Sequence, residues 1–349
     1  MPLINIVYPH RRSVDSDYCG DYTVVHSIFP IADCDMYVYQ DAFAYCGKMP
    51  GVEALLMLEP YVVLPGEYDD EIWRHFDYIL TFVDRLVEAR GKFRKINFPV
   101  FSTRDQQTFG EKLSPSSQTP IEEKIVGICM INGNKSSQVD GELYSKRKEI
   151  ALWFHNHSHI PFDVFGRPPF DLPNYRGIAS DKLVTLSRYR FAVCFENIYH
   201  PFWSSGYISE KLFHCFMAET VPIYLGCYNV ERYIPEDLFI DFRKFESYGE
   251  LETFLTSISD REYLSYLHRT KDWIAGGGLN NYTINDLYDL LAQLLDPSHT
   301  EDLMEPGNWK PGVSPKYLKK KFVYAKRKPV WTWEYLASWK HAAFRQKSI

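Results

Sequence analysis

Glu210 and Lys211 stand side by side where a polar loop gives way to an apolar-periodic run, Gly206-Tyr-Ile-Ser-Glu-Lys-Leu-Phe-His-Cys-Phe-Met217. Leu212, Phe213, Phe216 and Met217 recur at helical spacing. Ser209 can cap that helix and Glu210 falls in its first turn, so a helix is predicted to begin near Tyr207. The free N–H groups and the dipole of a helix start favour an anion. Lys211 adds a full positive charge there, which suits a phosphate or diphosphate. Glu210 can accept hydrogen bonds from hydroxyls such as those of a ribose or a sugar. By itself the dipeptide reads first as a solvated surface pair, the default for charged residues, and only its surroundings favour the anion-binding reading.

Those surroundings form a βαβ unit. Phe191-Ala-Val-Cys-Phe195 is an unbroken apolar run, as in a strand buried on both faces, and it stops at Glu196 and Asn197. A loop with Pro201, two serines and Gly206 leads into the helix, and Val221–Leu225 makes the next buried strand, closed by Gly226. Units of this kind bind ligands at the carboxyl ends of their strands. The ordered set Phe195-Glu196-Asn197, Gly206-Tyr207, Glu210-Lys211, Val221-Pro222-Ile223, Gly226, Asn229, Pro235 and Phe239-Ile240-Asp241 resembles glycosyltransferase family 10, the α1,3/α1,4-fucosyltransferases.

The resemblance implies an α/β chain of GT-B type, with two Rossmann-like domains facing each other across a cleft. It implies an inverting transfer of L-fucose from GDP-β-L-fucose to a hydroxyl of a glycan acceptor, with no required cofactor or metal. Such a transfer needs electrostatic stabilisation of the leaving diphosphate, a general base for the acceptor hydroxyl and a donor held in line. The family's S-x-R at a helix start is here Ser145-Lys146-Arg147, which implies Arg147 as a bidentate phosphate clamp alongside Lys211, the alternative being a charged helix face in Lys146-Arg147-Lys148-Glu149. Glu196, Asn197, Tyr207 and Glu210 match the motifs that line the donor site, and Tyr189, just upstream, is a further candidate. The family places its base after a strand of the first domain. Glu59, ending Leu56-Met57-Leu58-Glu59-Pro60, is preferred for that role, and Glu67 in the following loop is the alternative.

The rest of the chain has to position these groups. Of its 349 residues, 1–118 alternate strand and helix patterns, with strands expected at Leu3–Tyr8, Asp35–Tyr39, Ala54–Leu58 and Phe76–Phe82, a helix through Leu86, and Pro99–Phe101 ending the sheet. Repeated alternation argues a mainly parallel sheet. Residues 102–121 are rich in Ser, Gln, Thr and Pro and read as a linker. The second domain, 122–300, opens with a strand at Lys124–Ile131. It continues with a helix at Glu142–Phe154, a strand at Asp163–Phe165, the central βαβ unit, and helices near 247–258, 260–274 and 283–295.

Residues 301–349 form a basic, aromatic tail. Residues 309–349 hold eleven Lys or Arg against the single acid Glu334, so of the net charge of −6 the remaining residues carry −16. Basic clusters interleaved with Trp, Tyr and Phe have the composition of interfacial membrane segments, and they fit equally a segment packed on the first domain. No nucleic-acid motif accompanies the charge. The seven cysteines contain no C-x-x-C and read as reduced thiols. With a strand expected from Leu3 and no signal peptide, a cytoplasmic protein is expected, peripheral to the inner face of a membrane if the tail binds lipid. Asp33-Cys34-Asp35 spells the D-x-D of metal-dependent glycosyltransferases but falls in the first domain, away from the donor half. His155, His157 and His159 read as a polar helix end, and Gly276-Gly277-Gly278 as a helix breaker. Two other readings keep the fold: a different nucleotide-linked deoxyhexose donor, or a glycan-binding relative without catalysis.

Overall fold

A computed structural model describes residues 2–8, 15–19 (backbone), 21–100 and 119–296. The expected tail, and all but the last residues of the expected linker, lie outside them. Residues 1–307 make one compact unit.

The first sheet contains β1 (Leu3–Val7), β2 (Asp15–Cys19), β3 (Tyr22–Ser27), β4 (Met36–Gln40), β5 (Val52–Met57), β6 (Tyr78–Thr81) and β7 (Phe93–Lys95). Their order is β2-β3-β1-β4-β5-β6-β7, and every pairing is parallel except that of β2 with β3. The apolar runs of β4, β5 and β6 are buried along almost their whole length, as strands covered on both faces must be. Two short helices follow the later strands, α1 (Asp70–Trp73) and α2 (Asp84–Glu88). The sheet does not end at Pro99. Its last strand is Phe93–Lys95, an edge strand whose charged sequence has no apolar signature.

The second sheet contains β8 (Ile125–Ile131), β9 (Phe162–Phe165), β10 (Tyr189–Phe195), β11 (Val221–Leu225) and β12 (Ile240–Asp241), in the order β12-β11-β10-β8-β9 and all parallel. Helix α3 (Tyr144–His157) connects β8 to β9, α4 (Lys182–Ser187) precedes β10, and α5 (Glu210–Met217) connects β10 to β11. Helices α6 (Tyr248–Ser257) and α7 (Asp260–Ala275) follow, the latter held by a Ser259/Glu262 capping box. Counting only parallel strands in chain order, the first sheet runs 2-1-3-4-5-6 and the second 2-1-3-4-5, and a sheet of this order opens a ligand crevice where the winding reverses. That point lies between β1 and β4 in the first sheet and between β8 and β10 in the second.

The helix expected at 283–295 does not belong to the second domain. α8 (Ile284–Leu295) sets Leu287, Tyr288, Leu291 and Leu294 into the core of the first sheet beside Ile4, Ile6 and Val38. The Tyr288 hydroxyl lies 2.9 Å from His26 Nε2. The chain therefore returns to its first sheet before residue 300. Among the described residues no helix is long and apolar enough to cross a membrane, and Cys34, Cys46, Cys129, Cys194, Cys215 and Cys227 are free thiols.

Candidate active site

Helix α5 begins at Glu210, three residues later than expected, because Ser209 takes the cap: its hydroxyl accepts from the Lys211 N–H. Glu196 sets this start from below. It is fully buried, with Oε1 accepting from Ser209 N and Oε2 from Ser209 Oγ, both at 2.7 Å. Gly226 makes room for it, since a Cβ there would collide with the Glu196 side chain. Lys211 Nζ reaches Glu196 Oε2 at 3.1 Å and lies 3.9 Å from Glu210 Oε1. Burial would lower the Lys211 pKa, but the two carboxylates outweigh it and raise the pKa above the ordinary lysine value. Burial would likewise raise that of Glu210, yet Lys211, Lys182 and His214 bring it down to about 2.

Arg147, on α3, is 2 % exposed and clasps the end of β10, its Nη2 donating to Phe195 O (2.7 Å), Glu196 O (2.6 Å) and Asn197 Oδ1 (3.1 Å). Its Nε is buried without a partner, an orphan donor of the kind an anion satisfies. Asn197 Nδ2 reaches the Tyr207 hydroxyl at 3.3 Å, and the Tyr207 ring packs 4.7 Å from Phe82 of the first domain.

These groups open into a cleft of about 440 Å³. Arg147, Asn197, Tyr207, Ser209, Glu210 and Lys211 line one side, and Glu59, exposed just past β5, comes in from the other sheet. Lys135, Arg167 and Lys182 also line it, making five cations against two carboxylates. The apolar part comes from Phe98, Ile131, Ile178 and Ala179. Asn132 and Gly133, directly after β8, and Asn197, after β10, flank the reversal point of the second sheet. Such a cleft can hold a multiply charged anion and bring a carboxylate to face it.

Three expected residues fall elsewhere. Glu196 lies under the helix start with both oxygens bonded, so it shapes the site without lining the cleft. Tyr189 stands at the opposite end of β10, about 20 Å from the cleft edge at the rise of a strand, and its hydroxyl donates to Asp163 Oδ2 at 2.7 Å. Glu67 is 1 % exposed and outside the cleft lining, with Oε1 accepting from Ala42 N at 2.6 Å. Sequence reading missed Lys135, Arg167 and Lys182. The strand-end rule applied to β8 and β9 would have flagged the first two, whereas Lys182 opens a helix without an apolar period to announce it. Asp35 of the D-x-D triplet accepts from Leu3 N at 2.7 Å, just before β4 and at the sheet edge away from the cleft. Among the described residues, no group of three or more His, Cys, Asp or Glu is placed to hold a metal ion.

Comparison with known proteins bears on the same stretch. Residues 132–288 match the family model described as glycosyltransferase family 10 (fucosyltransferase) C-term. The chain is 38% identical over 116 residues to the human 4-galactosyl-N-acetylglucosaminide 3-alpha-L-fucosyltransferase FUT5, a match covering 32% of this chain and 29% of that one. It is 37% identical over 113 residues to the human 3-galactosyl-N-acetylglucosaminide 4-alpha-L-fucosyltransferase FUT3, covering 32% and 28%. The match thus spans under a third of the length of these relatives. In fold, the chain is similar to an α1,3-fucosyltransferase solved with GDP, at TM-score 0.54 and 14% identity over 87% of this chain and 93% of that one. It is also similar to an α-glucosyltransferase solved with UDP and DNA, at TM-score 0.53 and 12% identity over 84% and 98%. The two facing parallel sheets are the GT-B fold, and over residues 132–288 the chain is similar to glycosyltransferase family 10.

Proposed function

We propose that this chain transfers L-fucose from GDP-β-L-fucose to a hydroxyl of a glycan acceptor with inversion at the anomeric carbon. The observation that carries this is the facing of Glu59, from the first sheet, and the Arg147–Lys211–Glu210 group of the second across one cation-rich cleft. The diphosphate sits against Lys211 and the orphan Arg147 Nε, helped by Lys135, Arg167 and Lys182. Glu210, ionised down to about pH 2, accepts from hydroxyls of the ribose or the sugar. The apolar wall at Ile131, Ile178 and Ala179 suits the face of the nucleobase.

Glu59 takes the proton of the acceptor hydroxyl as its oxygen forms the bond to the anomeric carbon. The bond from that carbon to the phosphate oxygen breaks, and its electron pair leaves with GDP. Side-chain cations then stabilise the charge on the leaving group, so the reaction needs no obligatory divalent ion. Attack from the face opposite the diphosphate converts the β-linked donor into an α-linked product. The test is proton NMR of the product formed from GDP-β-L-fucose in excess chelator: an α-fucosyl signal is expected. A β-linked product, or activity abolished by chelator and restored by manganese, contradicts the reading.

A further inference from the structure

Phe43 follows β4 and is 77 % exposed. An isolated exposed ring is ordinary, but the turn carrying this one is built at a cost. Asp41 adopts φ 77°, a backbone region that non-glycine residues rarely enter. Its carboxylate accepts from Phe43 N at 2.9 Å. Glu67, 1 % exposed, commits one oxygen to Ala42 N at 2.6 Å and leaves the other buried without a partner. A buried carboxyl tied to a surface turn costs folding free energy and returns little core packing. What it secures is a fixed position for the ring.

That turn leaves the same sheet edge as Glu59, from the neighbouring strand. β4 and β5 pair in parallel with Gln40 opposite Leu56, and the ladder ends with Asp41 N donating to Leu56 O at 3.4 Å. Gln40 and Leu56 face each other at the carboxyl edge at the usual strand spacing of about 4.8 Å, and the turn with Phe43 and the segment with Glu59 leave that edge from these two adjacent strands. The Tyr68 hydroxyl, one residue from Glu67, donates to Glu59 O at 2.8 Å, so one loop braces both. β4 also borders the reversal point of the first sheet, where a doubly wound sheet takes its ligand.

Resting on the functional reading above, we propose that Phe43 is the stacking platform for the acceptor sugar, its ring covering the apolar C–H face of the pyranose whose hydroxyl Glu59 deprotonates, with Glu67 a positioning residue for the turn. Aromatic faces pair with apolar surface at low conformational cost. Phe29, 72 % exposed beyond β3, offers a control on the same edge. It is three strands from β5, too far to reach the same ring.

The experiment uses the full chain with GDP-fucose and a panel of galactosyl and N-acetylglucosaminyl oligosaccharides, including 4-galactosyl-N-acetylglucosaminide. Phe43→Ala is expected to raise the acceptor KM about tenfold with kcat within about twofold. Phe43→Trp should restore it, Phe29→Ala should leave it unchanged, and acceptor-free release of GDP should not change. An acceptor KM unchanged in Phe43→Ala, a loss that Phe43→Trp does not restore, or equal losses in Phe29→Ala and Phe43→Ala overturns the platform. So does a parent chain that releases GDP from GDP-fucose but glycosylates no member of the panel. A parent that releases no GDP at all overturns the functional reading instead.

Discussion

Asn229 Nδ2 donates to Asp84 Oδ2 at 2.7 Å, joining residues 145 positions apart and tying the second sheet's domain to the first. The same carboxylate accepts from the Tyr233 hydroxyl at 2.6 Å and from Lys95 Nζ at 2.7 Å. Asn229 also turns its carbonyl to Gly206 N at 2.8 Å, just before Tyr207. Gly206 has φ 76°, and a Cβ there would strike Phe82 O, Asp84 Oδ1 and Lys95 Nζ. The loop that carries Tyr207 to the cleft is thus held directly against the first domain, with Trp203 stacked on Tyr61 at 4.6 Å.

Removing the charge at Asp84 leaves Lys95 half-buried without its partner. Asp84→Asn is expected to lower stability by roughly 3 kcal/mol, in the range for breaking a buried pair from one side. Urea unfolding measures it, and a loss below about 0.5 kcal/mol would show that the cluster is not holding the domains together.

Two carboxyls have opposite pH signatures. Burial raises the pKa of Asp84, but Lys95 and the hydrogen bonds from Lys95, Tyr233 and Asn229 lower it further, leaving it below the ordinary aspartate value. Its contribution is therefore fully present above the unfolded value near 3.8 and is lost as pH falls through the folded one. Glu67 goes the other way. Burial, with Asp41 and Glu59 adding, lifts it to about 8 against 4.5. The folded state then holds a proton that the unfolded state has released, and stability declines from pH 4.5 to about 8. Glu67→Gln, which keeps an acceptor for Ala42 N, should flatten that decline in melts at pH 5, 7 and 9. An unchanged slope would count against the buried, protonated carboxyl.

Much of this was legible because it is local. The strands Ala54–Met57, Phe191–Phe195 and Val221–Leu225 are continuous apolar runs, and Ser209-Glu210-Lys211 is a helix start whose capping can be read directly. What escaped depends on distance. β7 carries Lys95 toward Asp84 and so reads as polar, and β3, Tyr22-Thr-Val-Val-His-Ser27, alternates too little to stand out. α8 looks like one more helix of its own domain, since nothing local says it packs on Ile4 and Ile6. Glu196 and Asn197 are neighbours with similar polarity, yet one is buried under a helix and the other faces the cleft. The bonds from Ser209 and Lys211 and the space left by Gly226 separate them.

Gly226 supplies a direct check on that division. Gly226→Ala should push Glu196 away from Ser209 and destabilise the chain by roughly 1–3 kcal/mol, as overpacking does. GDP affinity should fall with it, measured by calorimetry on the folded fraction. A variant as stable as the parent would mean Glu196 has room to move and does not set the helix start.

For the diphosphate, Lys211→Ala is expected to weaken GDP binding by about 10- to 100-fold, the scale of a charge-assisted contact. Lys135→Ala, Arg167→Ala and Lys182→Ala should each cost less, about three- to tenfold. Arg147→Ala should also lower stability, since its guanidinium holds three acceptors at the end of β10. GDP binding by Lys211→Ala equal to that of the parent would move the phosphates elsewhere.

Glu59 is proposed to act as base across the cleft from a bound GDP-fucose, and acceptor-dependent GDP release from GDP-β-L-fucose, compared between the parent chain and Glu59→Gln, tests that role most directly. The parent should turn over, and Glu59→Gln should bind GDP as the parent does while its transfer falls by roughly 10²–10⁴-fold. Near-normal transfer in Glu59→Gln, above all with collapse in Glu67→Gln, would contradict it.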